Sequence, residues 1–175
     1  DGGFLHAHTP TNDGRPLSEA LADVPGPDGA IVRACANPYQ TDSGIVVLQG
    51  NLAPGGCIVK TADISMRFFE GPARIFEGDA EARIGIADGQ FSAGDVIIVR
   101  GEGPRGSPGM REMLDVPIPI RRRGMGKDVA LVTDGRWPTG TGGLCIAHVS
   151  PEAHAGGPLA LARDGDIIRI DAEMG

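Results

Sequence analysis

Gly94-Asp95-Val96-Ile97-Ile98-Val99-Arg100-Gly101-Glu102-Gly103 decides the fold class. Gly-Asp is a turn by composition, an unbroken β-branched run follows, and glycine closes it, so the stretch reads as a short strand between turns. The device returns at Gly165-Asp166-Ile167-Ile168-Arg169-Ile170. Working outward, the same criteria give strands at Ile31–Cys35, Gly44–Gln49, Gly56–Thr61, Ala73–Phe76, Asp95–Arg100, Val129–Thr133, Leu144–His148 and Ile167–Asp171. Helices are few. Pro16–Ala22 and Asp79–Ile86 are candidates, Met110–Leu114 is a single turn, and Pro151–Ala155 starts another helix with Ser150 as its N-cap. The expectation is a mainly β, α+β domain: a compact barrel or sandwich with helices outside.

Composition agrees with a chain of short elements. Gly (28) and Pro (14) make up about a quarter of the 175 residues, and they fall between the apolar runs. The length suggests one domain, 1–175. A net charge of −7 argues against nucleic acid, whose phosphates demand clustered Lys and Arg. The one basic run, Arg121-Arg122-Arg123, reads as a solvated loop. No apolar stretch approaches the roughly 18 residues a membrane span needs. The polar first ten residues do not resemble a signal peptide. Cys35, Cys57 and Cys145 are odd in number and lack CxxC spacing. They read as buried small hydrophobes in a reducing compartment, the cytoplasm or an organelle matrix.

Three glycine-rich stretches follow strands: 49–56, 100–113 and 133–143. Loops at strand ends are where a rigid scaffold presents functional groups. Gly101-Glu102-Gly103 with Gly106 is not a dinucleotide fingerprint, because the spacing is wrong and no βαβ pattern surrounds it. Gly126-Lys127 is not a phosphate loop, since Asp128 stands where Ser or Thr is required. His148 and His154 lie six residues apart across a turn, poor geometry for one metal ion; His148 reads as packing near the third loop, with Trp137 walling the pocket.

The blocks Gly50-Asn51-Leu52-Ala53-Pro54, Phe69-Glu70-Gly71-Pro72-Ala73-Arg74, Pro108-Gly109-Met110-Arg111-Glu112-Met113, Val129-Ala130-Leu131-Val132-Thr133-Asp134-Gly135-Arg136, His148-Val149-Ser150-Pro151-Glu152-Ala153 and Gly156-Gly157-Pro158 with Asp164-Gly165-Asp166-Ile167-Ile168 stand in order along nearly the whole chain. In wording and spacing they resemble the carboxy-terminal domain of the dihydroxy-acid and 6-phosphogluconate dehydratase family, closer to its branched-chain biosynthetic branch.

The resemblance implies a swivelling β/β/α barrel-like domain, as in aconitase-type enzymes. It also implies an amino-terminal domain, in cis or trans, that holds an iron–sulfur cluster (2Fe-2S) and most of the magnesium ligands. The full enzyme is then a homodimer that dehydrates a hydroxy acid to a 2-oxo acid, with a cluster iron taking the departing hydroxyl. This chain by itself is expected to bind no cluster. Glu112 matches the family's magnesium-ligand glutamate. Gly135, Arg136 and Thr141 are the substrate-loop residues. The family's serine base aligns with Pro138, 26 residues after Glu112, and proline has no side-chain proton acceptor. Two readings stay open: Thr139, one residue later, serves as the base, or the domain is a non-catalytic binding or interaction module that kept the fold and lost the base.

Overall fold

The structure is a computed structural model and describes residues 3–40, 44–62, 64, 66–138 and 142–173. The chain divides into two compact units, Asp1–Thr41 and Asp42–Gly175.

The first unit holds one short helix, α1 (Leu17–Ala20), with Pro16 at its N-cap position. An antiparallel bridge joins Pro10 and Pro16, and the Asp13 carboxylate pairs with Arg15 at 2.9 Å. The expected strand Ile31–Cys35 is absent; bends and turns occupy it. The reason is Asp28, whose Oδ1 accepts the backbone N–H groups of Ala30, Ile31 and Val32 at 2.8, 2.8 and 3.0 Å. A carboxylate that takes three consecutive donors curls the chain and leaves no ladder to extend.

The second unit is a mixed seven-stranded sheet with strands β1 (Ile45–Leu48), β2 (Gly56–Lys60), β3 (Phe68–Glu77), β4 (Val96–Arg100), β5 (Ala130–Thr133), β6 (Cys145–Ser150) and β7 (Ile167–Asp171). The spatial order is β1-β2-β6-β5-β4-β3-β7. The central pairs β3–β4, β4–β5 and β5–β6 are parallel, and the flanking pairs are antiparallel. β3 is longer than the expected Ala73–Phe76 and serves two partners. Phe68–Pro72 pairs with β7 and Ala73–Glu77 with β4. The change of partner falls between Pro72 and Ala73, just beyond Gly71. A Cβ on Gly71 would lie 1.9 Å from the Gly94 carbonyl oxygen, so only glycine admits this approach.

Alternation along β4 sends side chains into two cores. Val96 and Ile98 join Val59, Ala130, Val132, Ile146 and Ile170 on one face. Ile97 and Val99 join Leu131 and Cys145 on the other, under α2 (Gly78–Ala87) and α3 (Pro117–Arg122). Burial on both faces explains why β4 is a continuous apolar run. On the first face the outer strands β1 and β7 line one cavity of about 360 Å³, with Val132 and Ile146 behind. The sheet therefore curls into a half-barrel, and the α+β expectation holds. Among the described residues no helix is long and apolar enough to cross a membrane.

Several local expectations are corrected. Arg121–Arg123 is not a loop: it closes α3, and the Arg123 guanidinium donates to the Ile86 and Ala87 carbonyls at the end of α2, at 2.9 and 2.7 Å. The prolines hid this helix, yet Pro117 and Pro119 stand in its first turn, where N–H groups lack intrahelical partners anyway. Met110–Leu114 is not helical. Met110 has φ of +42°, and Glu112 forms a strand-like bridge. After β6 comes a 3-10 turn at Ala153–Ala155 whose N-cap is Glu152, not Ser150. Cys57 and Cys145 are buried as expected, but Cys35 is exposed.

Candidate functional site

The four adjoining strands β3, β4, β5 and β6 run in one direction and finish at one edge of the sheet. Ligands in open sheets of parallel strands bind at the carboxyl ends. Here the glycine-rich loops after β4 and β5 leave from that edge, and buried carboxylates fasten them. Asp134 Oδ1 accepts from the Glu102 N–H at 2.9 Å, and its Oδ2 from the N–H groups of Gly101 and Ala153 at 3.0 and 2.9 Å. Glu152 accepts from the N–H groups of Arg105 and Gly106 at 2.9 and 3.1 Å. Glu102 accepts from the Asp79 N–H at the start of α2, at 2.7 Å. The fastening needs small residues: a Cβ on Gly103 would stand 2.3 Å from the Glu152 carboxylate, and one on Gly135 2.7 Å from the Glu102 Cβ.

Glu112 and Arg136, 24 positions apart in the chain, form a parallel bridge. Directly paired residues present their side chains on the same side of a sheet. Their successors Met113 and Trp137 both enter the helix-side core, so Glu112 and Arg136 face outward together. Among the described residues the Glu112 carboxylate and the Arg136 guanidinium have no hydrogen-bond or ion-pair partner. Arg111 pairs with buried Asp79 at 3.1 Å, which fastens the segment that carries Glu112.

Beside this bridge lies an open pocket of about 700 Å³ whose lining includes Arg105, Met110, Asp134, Arg136, His148 and Glu152. His148 adopts φ of +55°, rare for a residue with a side chain, and its N–H donates to the Gly135 carbonyl at 2.9 Å. Partial desolvation, helped by the charges of Arg136 and Lys60, holds the His148 imidazole below its usual pKa.

The structure thus brings together Glu112, Gly135 and Arg136. Thr139 and Thr141 lie outside the described residues. Trp137 does not wall the pocket: it is buried, with its indole N–H donating to the Ile146 carbonyl at 3.0 Å. Pro138 is buried beside it. Sequence reasoning missed Arg105 and the fastening roles of Asp134, Glu102 and Glu152. Their signal was acidic residues at strand ends next to glycines, the pattern of carboxylates that accept backbone amides. Cys57 and Cys145 lie in opposite cores, and burial raises the Cys57 thiol, a poor start for a thiolate ligand. Among the described residues no three His, Cys, Asp or Glu side chains gather as a metal site.

The fold is a half-barrel whose glycine-rich loops are fastened together at the carboxyl edge of its parallel strands. The chain belongs to the family described as Dihydroxy-acid/6-phosphogluconate dehydratase C-terminal, which it matches over residues 30–175. It is 50% identical over 173 residues to Dihydroxy-acid dehydratase 2 of Bordetella bronchiseptica, covering 99% of this chain and 30% of that protein. It is 49% identical to Dihydroxy-acid dehydratase 1 of Nocardia farcinica and to the dihydroxy-acid dehydratase of Mycobacterium tuberculosis, covering 31% and 30% of them. The chain therefore spans about a third of the length of the curated relatives it matches.

Proposed function

We propose that this chain supplies one wall of the active site of a hydro-lyase, which removes water from a 2,3-dihydroxy carboxylic acid or sugar acid to leave a 2-oxo acid. The branched-chain biosynthetic substrates are the first choice, given the relatives' names. The observation that carries the reading is the Glu112–Arg136 bridge, which sets side by side at the carboxyl edge a carboxylate and a guanidinium that are unpartnered among the described residues. Glu112 fits one position in a magnesium shell, being an accessible hard oxygen donor, and the remaining ligands belong to the amino-terminal domain. A magnesium ion held there would supply the positive charge that polarises the acid's carboxylate and hydroxyl and acidifies the carbon between them. The iron–sulfur cluster does not fit the cysteines of the half-barrel, because Cys57 and Cys145 are buried in opposite cores. The domain swivels over its partner, Arg136 and Gly135 orient the acid, and Thr139 takes the proton in place of the family serine. The enzyme works as a homodimer in the cytoplasm or an organelle matrix.

Pro138 favours a second reading, a binding module without a base. One experiment separates the two. The chain is combined with an amino-terminal domain of the family, and 2-oxo acid formation is assayed for the natural form, Glu112→Gln, Thr139→Val, and Pro138→Ser with Thr139→Gly. The proposal expects a fast natural form and losses of roughly 10²- to 10⁴-fold in Thr139→Val, the usual cost of a missing base. A slow natural form that the double change accelerates by orders of magnitude identifies the binding module. A Glu112→Gln form with unchanged magnesium dependence removes Glu112 from the metal.

A further inference from the structure

We propose that Lys60 is a positioning residue: by gripping the Trp137 carbonyl it holds segment 135–138 where Arg136 meets Glu112. The inference rests on the reading above of this edge as a hydro-lyase site, and it adds the group that keeps two of its residues in register.

Three strands tie this segment down. The Gly135 N–H donates to the Thr133 hydroxyl of β5 at 2.9 Å, and its carbonyl accepts from the His148 N–H of β6 at 2.9 Å. The Trp137 indole donates to the Ile146 carbonyl of β6 at 3.0 Å. The remaining tie comes from β2, where the Lys60 ammonium donates to the Trp137 carbonyl at 3.3 Å. Val59 enters the core on one face, so Lys60, next in the strand, points to the helix side, where Trp137 is buried. Proline has no N–H, so the carbonyl is the one backbone group by which the Trp137–Pro138 peptide can be held. Lys60 takes that group. One residue away, Arg136 bridges to Glu112.

A lysine is a costly tether, since its long stem gives up rotamer freedom when it is held. It offers in return a charged donor, which grips a carbonyl more firmly than a neutral one. Its charge is also felt at the site. After desolvation and Arg136, Lys60 is the third influence that holds the His148 imidazole below its usual pKa. Residues from β2, β6 and segment 135–138 thus share one electrostatic neighbourhood. The hydrogen bond is only part-buried, and Trp137 is already packed in the core, so the bond adds little to stability. Its effect is on placement: a group misplaced by about 1 Å can cost about a hundredfold in rate.

The test compares three forms of the full chain: the natural one, Lys60→Met, which keeps an apolar stem without the donor, and Lys60→Arg, which restores a charged donor. In the labelled chain, nuclear magnetic resonance follows the Trp137 indole, the Arg136 Nε–H and the His148 ring. Lys60→Met should shift all three signals and raise the midpoint of the His148 titration, while Tm moves by no more than about 4 °C, the scale of one accessible hydrogen bond. Lys60→Arg should bring the Arg136 signal back. Unmoved Arg136 and His148 signals, or a lower Tm without them, overturn the positioning role. The same forms are then assembled with an amino-terminal domain of the family. Lys60→Met should lower kcat by about tenfold, the scale of a lost charge-assisted hydrogen bond, and by more than it raises KM. Lys60→Arg should recover most of that loss. An unchanged kcat, or equal impairment in the Arg form, overturns the proposal. Glu112→Gln and Arg136→Gln, assayed alongside, keep the two ideas apart. If neither affects turnover, the reading of the edge falls, while shifted Arg136 and His148 signals in Lys60→Met leave the tether standing.

Discussion

Two cavities of the half-barrel hold their shape by different means. The one at the carboxyl edge sets Arg105, Arg136 and His148 beside Met110 and Val149, and two of its walls, Asp134 and Glu152, are carboxylates engaged with backbone amides. The one between β1 and β7 is walled largely by Leu48, Val132, Ile146, Val149 and Ile170. The difference is one of tolerance. Apolar walls hold by area and can shift a little when a neighbour changes. Buried carboxylates hold by direction, and each amide they satisfy is orphaned if they leave. Groups at the first cavity are therefore held in fixed directions, and those at the second are held by apolar packing.

Removing Asp134 attacks this contrast hardest. Asp134→Ala strands three N–H groups, at about 1–3 kcal/mol each, so a loss of roughly 4–6 kcal/mol is expected in urea unfolding. A loss under about 1 kcal/mol would mean that the loops are held by something else. Ile170→Ala, on the apolar side, should cost about 3 kcal/mol by cavity formation while leaving the Gly101, Glu102 and Ala153 amides the last of their loops to exchange with solvent. Early exchange of those three amides would show the two cavities to be coupled. Arg111→Ala should cost only about 1 kcal/mol, because the arginine is well exposed and Arg83 remains near Asp79 at 3.5 Å; a perturbed Glu112 environment without much loss of stability would be its signature. The smallest effect belongs to His148. Its folded pKa lies below the unfolded value of 6.5, so the stability present above pH 6.5 drains away as pH falls below it. His148→Gln should flatten that acid limb in a series of thermal melts; an unchanged limb would place the titration elsewhere.

The sheet was legible because its signal is local. Val96–Val99 reads as a strand whichever neighbours it finds, and the Gly-Asp entries mark where strands begin. The first half of β3 was not legible, since Phe68–Pro72 contains Gly and Pro, which mark a turn unless a nearby backbone demands them. α3 was hidden by prolines that are harmless in a first turn. In the site, Glu112 and Arg136 were named through family resemblance, but their pairing is a long-range bridge with no local trace. Asp28 shows the reverse case: Ile31-Val32 has every β preference, and one carboxylate three residues earlier overrides it.

The partner change along β3 has a consequence for how the molecule breathes. Hydrogen-exchange protection normally changes in a loop, between elements that open as separate units. Here one strand is shared, with Phe68–Gly71 tied to the outer β7 and Ala73–Glu77 to the buried β4. The border between fast- and slow-exchanging amides should therefore run through the middle of a continuous strand, just after Ala73, whose N–H still donates to the Asp166 carbonyl at 2.8 Å, so that β7 can peel away with half of β3 while the other half stays shut.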